Sequence, residues 1–446
     1  MRVFPRLPAL AVAILSVAGT SAAPGPETLL SVPGASNQTP SAAALGNVVA
    51  VAWSAQAEGG KPDVYVAVSR DAGASFGTPV RVNAVAGEAR VGGELPPRVG
   101  LVARGNGDPE IVVAYGAKAE TTAIKLARSI DGGQTFSEGE ALQAPGAPGD
   151  RGWHAMALDA DGAAHVMWLD HRGLTTSKAG DHAGHEAEAM DGLAMALKSG
   201  LYYSRDGAPE RELVKVCYCC KVAMAAGPGG ALYTAWRQVY AGNIRDIAFL
   251  ASTDGGRTFG EPTRVSEDDW HLAGCPDDGP AMSLSADGGV HIVWPTVIGG
   301  PEPEGAIFYA VSHDGRAFGR RVRVPTLGSP RPMHPQVLTS GGRVFAAWDE
   351  VIDGVRQAAV RTIAVDADGR LQAGAVERLG AAGNSSSYPV LIGATRGPLA
   401  IWVSGQPGAC HTPRRYRILT RRLVAPPTVR QMTVYLGRRS GMSATT

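Results

Sequence analysis

Aromatic residues are scarce in this 446-residue chain, at 6%, and charged residues make up only 19%. The 42 Lys and Arg nearly balance the 41 Asp and Glu, so the chain lacks the excess of positive charge with which nucleic-acid-binding proteins neutralise phosphates. It has no heptad repeat and, beyond its N-terminus, no long apolar run. Glycine and proline are abundant instead, with 58 and 31 residues, and the 44% of apolar residues suffices for a large core.

The first 22 residues have the pattern of a secretory signal peptide. Arg2 and Arg6 supply the positive start, Leu7–Ala18 is apolar, and Thr20-Ser21-Ala22 offers small residues for cleavage. The apolar stretch is too short to span a membrane. We therefore expect a mature protein without a membrane span, exported to the periplasm or secreted, where disulfides are permitted.

A short motif recurs along the chain. It reads Ser-x-Asp-x-Gly-x-Ser/Thr-Phe in its full form, with a shortened fourth copy and a degenerate one at Ser204–Gly207. The four good copies contain Asp71, Asp131, Asp254 and Asp314. In such a turn Asp accepts hydrogen bonds from backbone amides, Gly supplies a positive φ, and the aromatic ring anchors the turn to the core.

These copies resemble the Asp-box of the sialidase (BNR-repeat) superfamily, and the resemblance implies an all-β propeller. Seven apolar strands that end in an aromatic residue recur at spacings of 53 to 68 residues and give the number of blades. The strands are Val48–Trp53, Ile111–Tyr115, Ala164–Trp168, Leu232–Trp236, Val290–Trp294, Val344–Trp348 and Leu399–Trp402. We predict seven blades, with six, the usual number in the family, as the alternative.

The last repeat shows only three clear strands. We expect Glu27–Val32 to supply the fourth and to close the ring, with Val429–Leu436 as the alternative, because closure hides exposed strand edges. Residues 23–437 would then form one propeller domain, and residues 438–446 a disordered tail. We expect a monomer.

Cysteine and histidine concentrate at one end of the predicted blades. Register places them at the starts of the innermost strands, around the mouth of the central channel, where propellers bind ligands. The candidate metal ligands are Cys217, Cys219, Cys220, Cys275, His154 and His334. Thiolate and imidazole are ligands that copper and zinc prefer, so we predict a metal site, or a ligand site built on a metal, at this mouth.

Two other roles for the cysteines stay open. Cys275 is expected to bond Cys219 or Cys220 if the cluster is a disulfide staple between blades, and a catalytic thiol is the third possibility. An insertion at Gly173–Gly200 carries His182 and His185 and a predicted helix, so it is either a lid that adds ligands or a solvated loop.

The resemblance to sialidases also implies an enzymatic alternative, an exo-α-sialidase-type glycoside hydrolase. Such an enzyme needs an arginine triad for the substrate carboxylate and a tyrosine nucleophile with an acidic partner. The residues available for these roles are Arg98, Arg237, Arg245, Glu350 and Tyr388. The chain also resembles exported sialidase-like proteins with a CxCC motif and a segment like Gly274–Pro280, for which the resemblance assigns no activity. A structural platform for interactions is the third hypothesis.

Overall fold

The computed structural model describes residues 25–423, apart from 91, 106, 175–191, 273, 275, 277, 300–302, 367 and 407–415. After a first strand, β1 (Glu27–Leu30), the chain folds into seven sheets in succession. Each of the first six begins with its innermost strand and runs outward in sequence order, as the short Gly- and Asp-containing turns require. The prediction of seven propeller blades is confirmed.

Blades 1 to 3 are four-stranded antiparallel sheets in sequence order. Their strands are β2 (Ala35–Leu45), β3 (Val48–Ala57), β4 (Pro62–Ser69) and β5 (Val80–Arg81); β6 (Arg98–Val102), β7 (Glu110–Lys118), β8 (Thr122–Ser129) and β9 (Glu140–Ala141); and β10 (Arg151–Leu158), β11 (Ala164–Asp170), β12 (Gly200–Arg205) and β13 (Arg211–Lys215). A 3-10 turn at Arg172–Leu174 and the short helix α1 (Gly192–Ala196) lie between β11 and β12. The rest of the predicted insertion helix and both of its histidines lie outside the described residues.

Blades 4 to 6 repeat the arrangement, and blade 6 adds a short fifth strand that pairs with its third strand. Their strands are β14 (Ala223–Ala226), β15 (Leu232–Arg237), β16 (Ile247–Ser252) and β17 (Thr263–Arg264); β18 (Ala281–Leu284), β19 (Val290–Ile298), β20 (Glu304–Ser312) and β21 (Val322–Val324); and β22 (Met333–Ser340), β23 (Arg343–Ile352), β24 (Val355–Val365), β25 (Leu371–Ala373) and β26 (Glu377–Leu379). Two further 3-10 turns span Pro228–Gly230 and Ala241–Asn243.

Blade 7 closes the ring with both ends of the described chain. It contains β27 (Ser385–Ala394), β28 (Gly397–Gly405) and β29 (Arg417–Arg422), and β1 pairs antiparallel with β29 as the outermost strand. Leu30 is buried in the core between blades 7 and 1. The prediction that the N-terminal strand completes the last blade is confirmed. Strand β1 occupies the sheet position for which residues 429–436 were the alternative.

The core is a ring of aromatic side chains on the second strands. All seven are at most 1% exposed, and apolar clusters between neighbouring blades surround them. The members are Trp53, Tyr115, Trp168, Trp236, Trp294, Trp348 and Trp402. Each predicted apolar strand lies within the observed second strand of its blade, so the aromatic spacing identified the blades correctly.

The four recurrent turns share one hydrogen-bond pattern at the ends of the third strands. In the first, the Ser69 hydroxyl donates to Asp71 and accepts from the amide of Gly73, whose φ of +86° suits glycine. Because the third strand runs away from the channel mouth, these turns lie at the end of the propeller opposite to the starts of the innermost strands.

Candidate functional site

The channel mouth is built from irregular strand starts. Four innermost strands contain a break in register, and each break holds a residue other than glycine with positive φ. These residues are Thr39, Trp153, His334 and Tyr388, with φ of 49° to 52°. Such a bulge removes a residue from the ladder and redirects its side chain, a device often found next to functional sites.

Three cysteines meet between β13 and β14. The Sγ atom of Cys219 lies 3.9 Å from Cys217 Sγ and 3.9 Å from Cys220 Sγ, and all three sulfurs lie within 4.8 Å of one another. Each side chain is buried, with at most 5% exposed. Among the described residues, they are the one group of three or more His, Cys, Asp or Glu side chains with this proximity.

The three cysteines are not chemically equivalent. Cys219 is disulfide-bonded, whereas Cys217 and Cys220 are free thiols. The disulfide partner is not among the described residues, and Cys275 and Cys410 both lie outside them, so the predicted pairing with Cys275 stays a prediction. A sulfur in a disulfide is a poor metal ligand, because metals bind the thiolate. Cys219 therefore becomes available as a ligand only when its disulfide is reduced.

The two free thiols differ in acidity. A hydrogen bond with Cys220 lowers the pKa of Cys217 to about 6, against the effect of burial and with help from the charge of Arg245, whose Nη1 lies 3.2 Å from Cys217 Sγ. Burial raises the pKa of Cys220 well above its ordinary value, and the hydrogen bond with Cys217 adds to the rise. The pair therefore holds one thiolate and one thiol near neutral pH.

The predicted substrate-binding arginines have other partners. Arg237 is fully buried and donates to the carbonyls of Asp278, Arg245 and Pro295 at 3.2, 2.7 and 2.5 Å. Arg245 is fully buried as well and donates to Leu272 O at 3.1 Å in addition to Cys217. Arg237 therefore uses all three of its side-chain nitrogens on carbonyls and is not free to join a carboxylate clamp with Arg98. Arg245 uses two, and its Nη2 is buried without a hydrogen-bond partner among the described residues.

Glu350 and Tyr388, predicted as acidic partner and nucleophile, contact other groups of the mouth. Both carboxylate oxygens of Glu350 are occupied: they accept from the amides of Leu327 and Ser329 and from Nε1 of Trp348, at 2.5 to 2.6 Å. The ring of Tyr388 packs on His334, with 4.1 Å between ring centroids. Glu350 thus anchors the blade-6 tryptophan and its preceding loop.

A buried charged network fills the mouth between these elements. Lys221 Nζ lies 3.2 Å from Glu94 Oε1 and 3.4 Å from Asp278 Oδ1, and Asp278 Oδ2 accepts from the amide of His334. His334 Nδ1 lies 2.8 Å from Asp349. Burial opposes the charged imidazole, but the charge and hydrogen bond of Asp349, together with the charges of Asp278 and Glu94, outweigh it and raise the pKa of His334.

The sequence places Lys221, Asp278 and Asp349 at this mouth but assigns no metal-binding or catalytic role to them or to Glu94. Lys221 directly follows the CxCC motif, and Asp278 belongs to the Gly274–Pro280 segment. Their position beside these motifs is the sequence signal that could have identified them as site residues. Glu94 lies in the connection between blades 1 and 2, where no periodic pattern marks it.

The predicted histidine ligands lie apart from the sulfur cluster. His154 is 2% exposed, and its Nε2 lies 3.1 Å from the carbonyl of Ala114, while burial lowers its pKa to about 3. His334 belongs to the charged network. Neither joins the group of three sulfurs, so the described residues do not assemble the mixed Cys/His ligand set that the sequence predicts. Cys410 and His411 lie outside the described residues.

Comparison with known proteins supports the architecture. No family model and no curated protein sequence matches the chain. Among solved structures, a PL25 ulvan lyase is 12% identical with a TM-score of 0.54, covering 86% of this chain and 93% of its own. The chain shares its propeller fold. A protein of unknown function from Dyadobacter fermentans (14% identity, TM-score 0.47, 89% and 98% coverage) and the Hadza microbial sialidase Hz136 (16%, 0.45, 81% and 73%) are further matches.

These matches show similarity of fold alone, because all the sequence identities are low. Among the described residues, no helix is long and apolar enough to cross a membrane.

Proposed function

We propose that this chain is an exported propeller that binds a soft metal ion, Cu(I), at its channel mouth through the thiolates of Cys217 and Cys220. The observation that carries the proposal is the trio of sulfurs within 4.8 Å, two of them free thiols. Soft thiolate ligands select Cu(I) over hard cations such as Mg²⁺ or Ca²⁺. Export rests on the N-terminal signal pattern, which lies outside the described residues.

The ligand count favours Cu(I) over zinc. A structural zinc ion takes four ligands in tetrahedral geometry. The described residues offer at most three sulfurs, and no histidine or carboxylate joins the group. With the Cys219 disulfide intact, the described residues offer two thiolates, fewer than the three or four protein ligands of zinc sites, and such a pair suits Cu(I).

The charge balance of the site supports the same assignment. Two buried thiolates are costly unless cations compensate them. Cu(I) with two thiolates carries a net charge of −1, and the Arg245 guanidinium beside Cys217 supplies the compensating positive charge. Without a metal, only one of the two thiols ionises near neutral pH, because the pKa of Cys220 is raised.

The test is an anaerobic titration of the purified protein with Cu(I) in competition with a chromophoric Cu(I) chelator. We expect one Cu(I) per chain, and binding about tenfold weaker or worse in Cys217→Ser and in Cys220→Ser. Val239→Ala is the matched control, because Val239 packs in the same buried cluster and offers no ligand. If the serine variants bind Cu(I) more weakly because a ligand is lost and not because packing is lost, Val239→Ala should bind Cu(I) with the wild-type affinity.

Reduction provides a second arm of the test. Since Cys219 is disulfide-bonded, a reductant that opens this bond is expected to tighten Cu(I) binding, and Cys219→Ser is expected to abolish the gain. An unmodified protein that binds no Cu(I) in either redox state would refute the proposed function. Equal affinity in the wild type and in both single variants would refute the assigned ligands.

A further inference from the structure

The aromatic residues of the recurrent turns pack in the grooves between blades, at the end of the propeller opposite the channel mouth. Each is half-buried and belongs to a cluster that its blade shares with the preceding blade. Two of them stack on a ring in the third strand of that preceding blade: Phe259 on Tyr203, with 5.3 Å between centroids, and Phe318 on Phe249, with 5.0 Å. The four residues are Phe76, Phe136, Phe259 and Phe318.

Blade 6 has no copy of this turn. The segment that follows β24, Asp366–Arg370, contains neither the Ser nor the Phe of the motif. Yet blade 5 offers the ring on which such a Phe would stack, because Tyr309 lies opposite the residue directly before the blade's tryptophan, as Tyr203 and Phe249 do in their blades. A groove of about 660 Å³ lies at this place between blades 5 and 6.

The walls of this groove are largely apolar. Tyr309 and Ile363 belong to the buried cluster between blades 5 and 6, Val311 and Val344 are half-buried against it, and Val365 is 39% exposed. Covering these side chains removes apolar surface from water, which is favourable. The groove therefore suits an apolar segment that carries an aromatic ring.

The groove between blades 2 and 3 is different, although the turn of blade 3 is degenerate and also lacks the Phe. Its wall carries ion pairs, in which Arg128 contacts Glu110 and Asp206. Desolvating these charges opposes an apolar occupant. Of the two grooves, the one between blades 5 and 6 is therefore the docking site for an aromatic residue.

The segment that follows Leu423 offers such an occupant. Residues 429–436 include two Val, a Met and a Leu, and Tyr435 is the one aromatic residue of the sequence after Leu423. Because β1 already holds the fourth position of blade 7, this segment is not needed to complete that blade.

The segment has the reach to enter the groove. The amide of Leu423 donates to Pro398 O at the start of β28, and the groove includes Arg343 at the start of β23, so both lie at the end opposite the channel mouth. Blade 6 alone separates them, a distance of about two sheet spacings or roughly 20 Å. Tyr435 lies twelve residues beyond Leu423, and an extended chain of this length spans about 40 Å.

We propose that the C-terminal segment around Tyr435 docks in the groove between blades 5 and 6 of the same chain, where the Tyr435 ring takes the place that a Phe of the recurrent turn has in other blades. An aromatic pair with Tyr309 adds to the apolar area that docking buries. Arg430 and Arg438 flank the apolar residues of the segment, and Asp366 at the edge of the groove has the opposite charge. This docking is independent of metal binding.

The test is photo-cross-linking of the full chain with p-benzoylphenylalanine in place of Tyr435, followed by mass-spectrometric mapping of the joined peptides. We expect a cross-link within one chain to residues 309–313, 342–344 or 362–366, which line the groove. The same photoreactive residue in place of Met442, further along the segment, is the position control and should give a clearly lower yield. Cross-links to other parts of the propeller, or between two chains, would overturn the proposal.

A charge in the groove should prevent docking. Val365→Arg is expected to lower the cross-link yield from position 435 about fivefold, because it places a guanidinium group among the apolar walls. Val351→Arg is the matched control, since Val351 is 44% exposed in the same blade and lies near the end of β23 at the channel mouth, and it should keep the yield. An equal yield in both variants would overturn the proposal.

Thermal unfolding gives a second measurement that needs no photoreactive residue. Tyr435→Ala should lower Tm by about 2 °C, because a docked ring is lost, whereas Tyr435→Phe keeps the ring and should keep Tm. A Tm of Tyr435→Ala equal to that of the wild type would contradict docking.

Discussion

Replacing Glu350 by glutamine tests whether this carboxylate stabilises the fold. Its two oxygens accept three hydrogen bonds in a fully buried setting, from Leu327 N, Ser329 N and Trp348 Nε1. If the amide oxygen keeps the two bonds made by Oε1, the amide nitrogen faces the Ser329 N–H and leaves it unsatisfied. A buried hydrogen bond to a charged group contributes about 1.5–3 kcal/mol, so we expect a loss of roughly 2–3 kcal/mol.

This loss converts to a small but measurable change in melting temperature. An unfolding entropy of about 2.1 cal/mol/K per residue over about 400 residues gives roughly 0.8 kcal/mol/K, so Glu350→Gln should lower Tm by about 3 °C in differential scanning calorimetry. Glu267→Gln is the matched control, because the Glu267 side chain is 81% exposed, and its Tm should not change. A Tm of Glu350→Gln equal to that of the wild type would refute the anchoring role.

Three further predictions concern ring closure, the recurrent turns and the thiols. Leu30→Ala, in the strand that closes the ring, should lower the free energy of unfolding by about 2–5 kcal/mol and Tm by roughly 2–6 °C. Leu29→Ala, at a 50% exposed position of the same strand, should leave both unchanged. Equal losses of stability in the two variants would contradict closure by this strand. Hydrogen bonds from Thr258 lower the pKa of Asp254 to about 2, so its carboxylate stabilises the fold above pH 3.8 and this stabilisation is lost as pH falls through about 2. The difference in urea midpoint between the wild type and Asp254→Asn should therefore disappear between pH 4 and pH 2. A difference that stays constant with pH would contradict a stabilising role of the Asp254 carboxylate. By thiolate absorbance, Cys220→Ala should raise the pKa of Cys217 from about 6 by more than Arg245→Gln does, and the reverse order would contradict the stated causes.

The propeller was predictable because its signals are local and repeated. The aromatic residue of the second strand recurs in all seven blades, and the Ser-x-Asp turn in four, with a degenerate fifth copy. Both reflect short-range requirements of strand pairing and turn geometry. The completion of blade 7 by β1 was predictable from a missing strand, since an unpaired edge is unfavourable.

The site was only partly predictable. Cys217, Cys219 and Cys220 lie together as predicted, because they are neighbours in sequence, whereas the predicted position of Cys275 lies outside the described residues. Register could not give side-chain direction at the strand starts, where bulges at Trp153 and His334 break the alternation of faces. For this reason the histidines were expected among the sulfurs and lie elsewhere.

The arginines show a second limit of sequence reasoning. Arg237 and Arg245 lie at the predicted end of the blades, yet their donors are directed to carbonyls of Asp278, Pro295 and Leu272 from other segments. Such partners come from long-range packing and leave no pattern in the sequence. The carboxylates nearest in sequence pair with other arginines: Asp170 contacts Arg151 and Arg172, and Asp246 contacts Arg264.

The most direct test of the proposed metal site is X-ray absorption at the copper edge of the Cu(I)-loaded protein. We predict a first shell of sulfur alone, with two scatterers when the Cys219 disulfide is intact and three after its reduction. The Cys217→Ser variant should lose sulfur scattering or fail to retain copper. A first shell dominated by nitrogen or oxygen in the wild type would contradict a site built on Cys217 and Cys220.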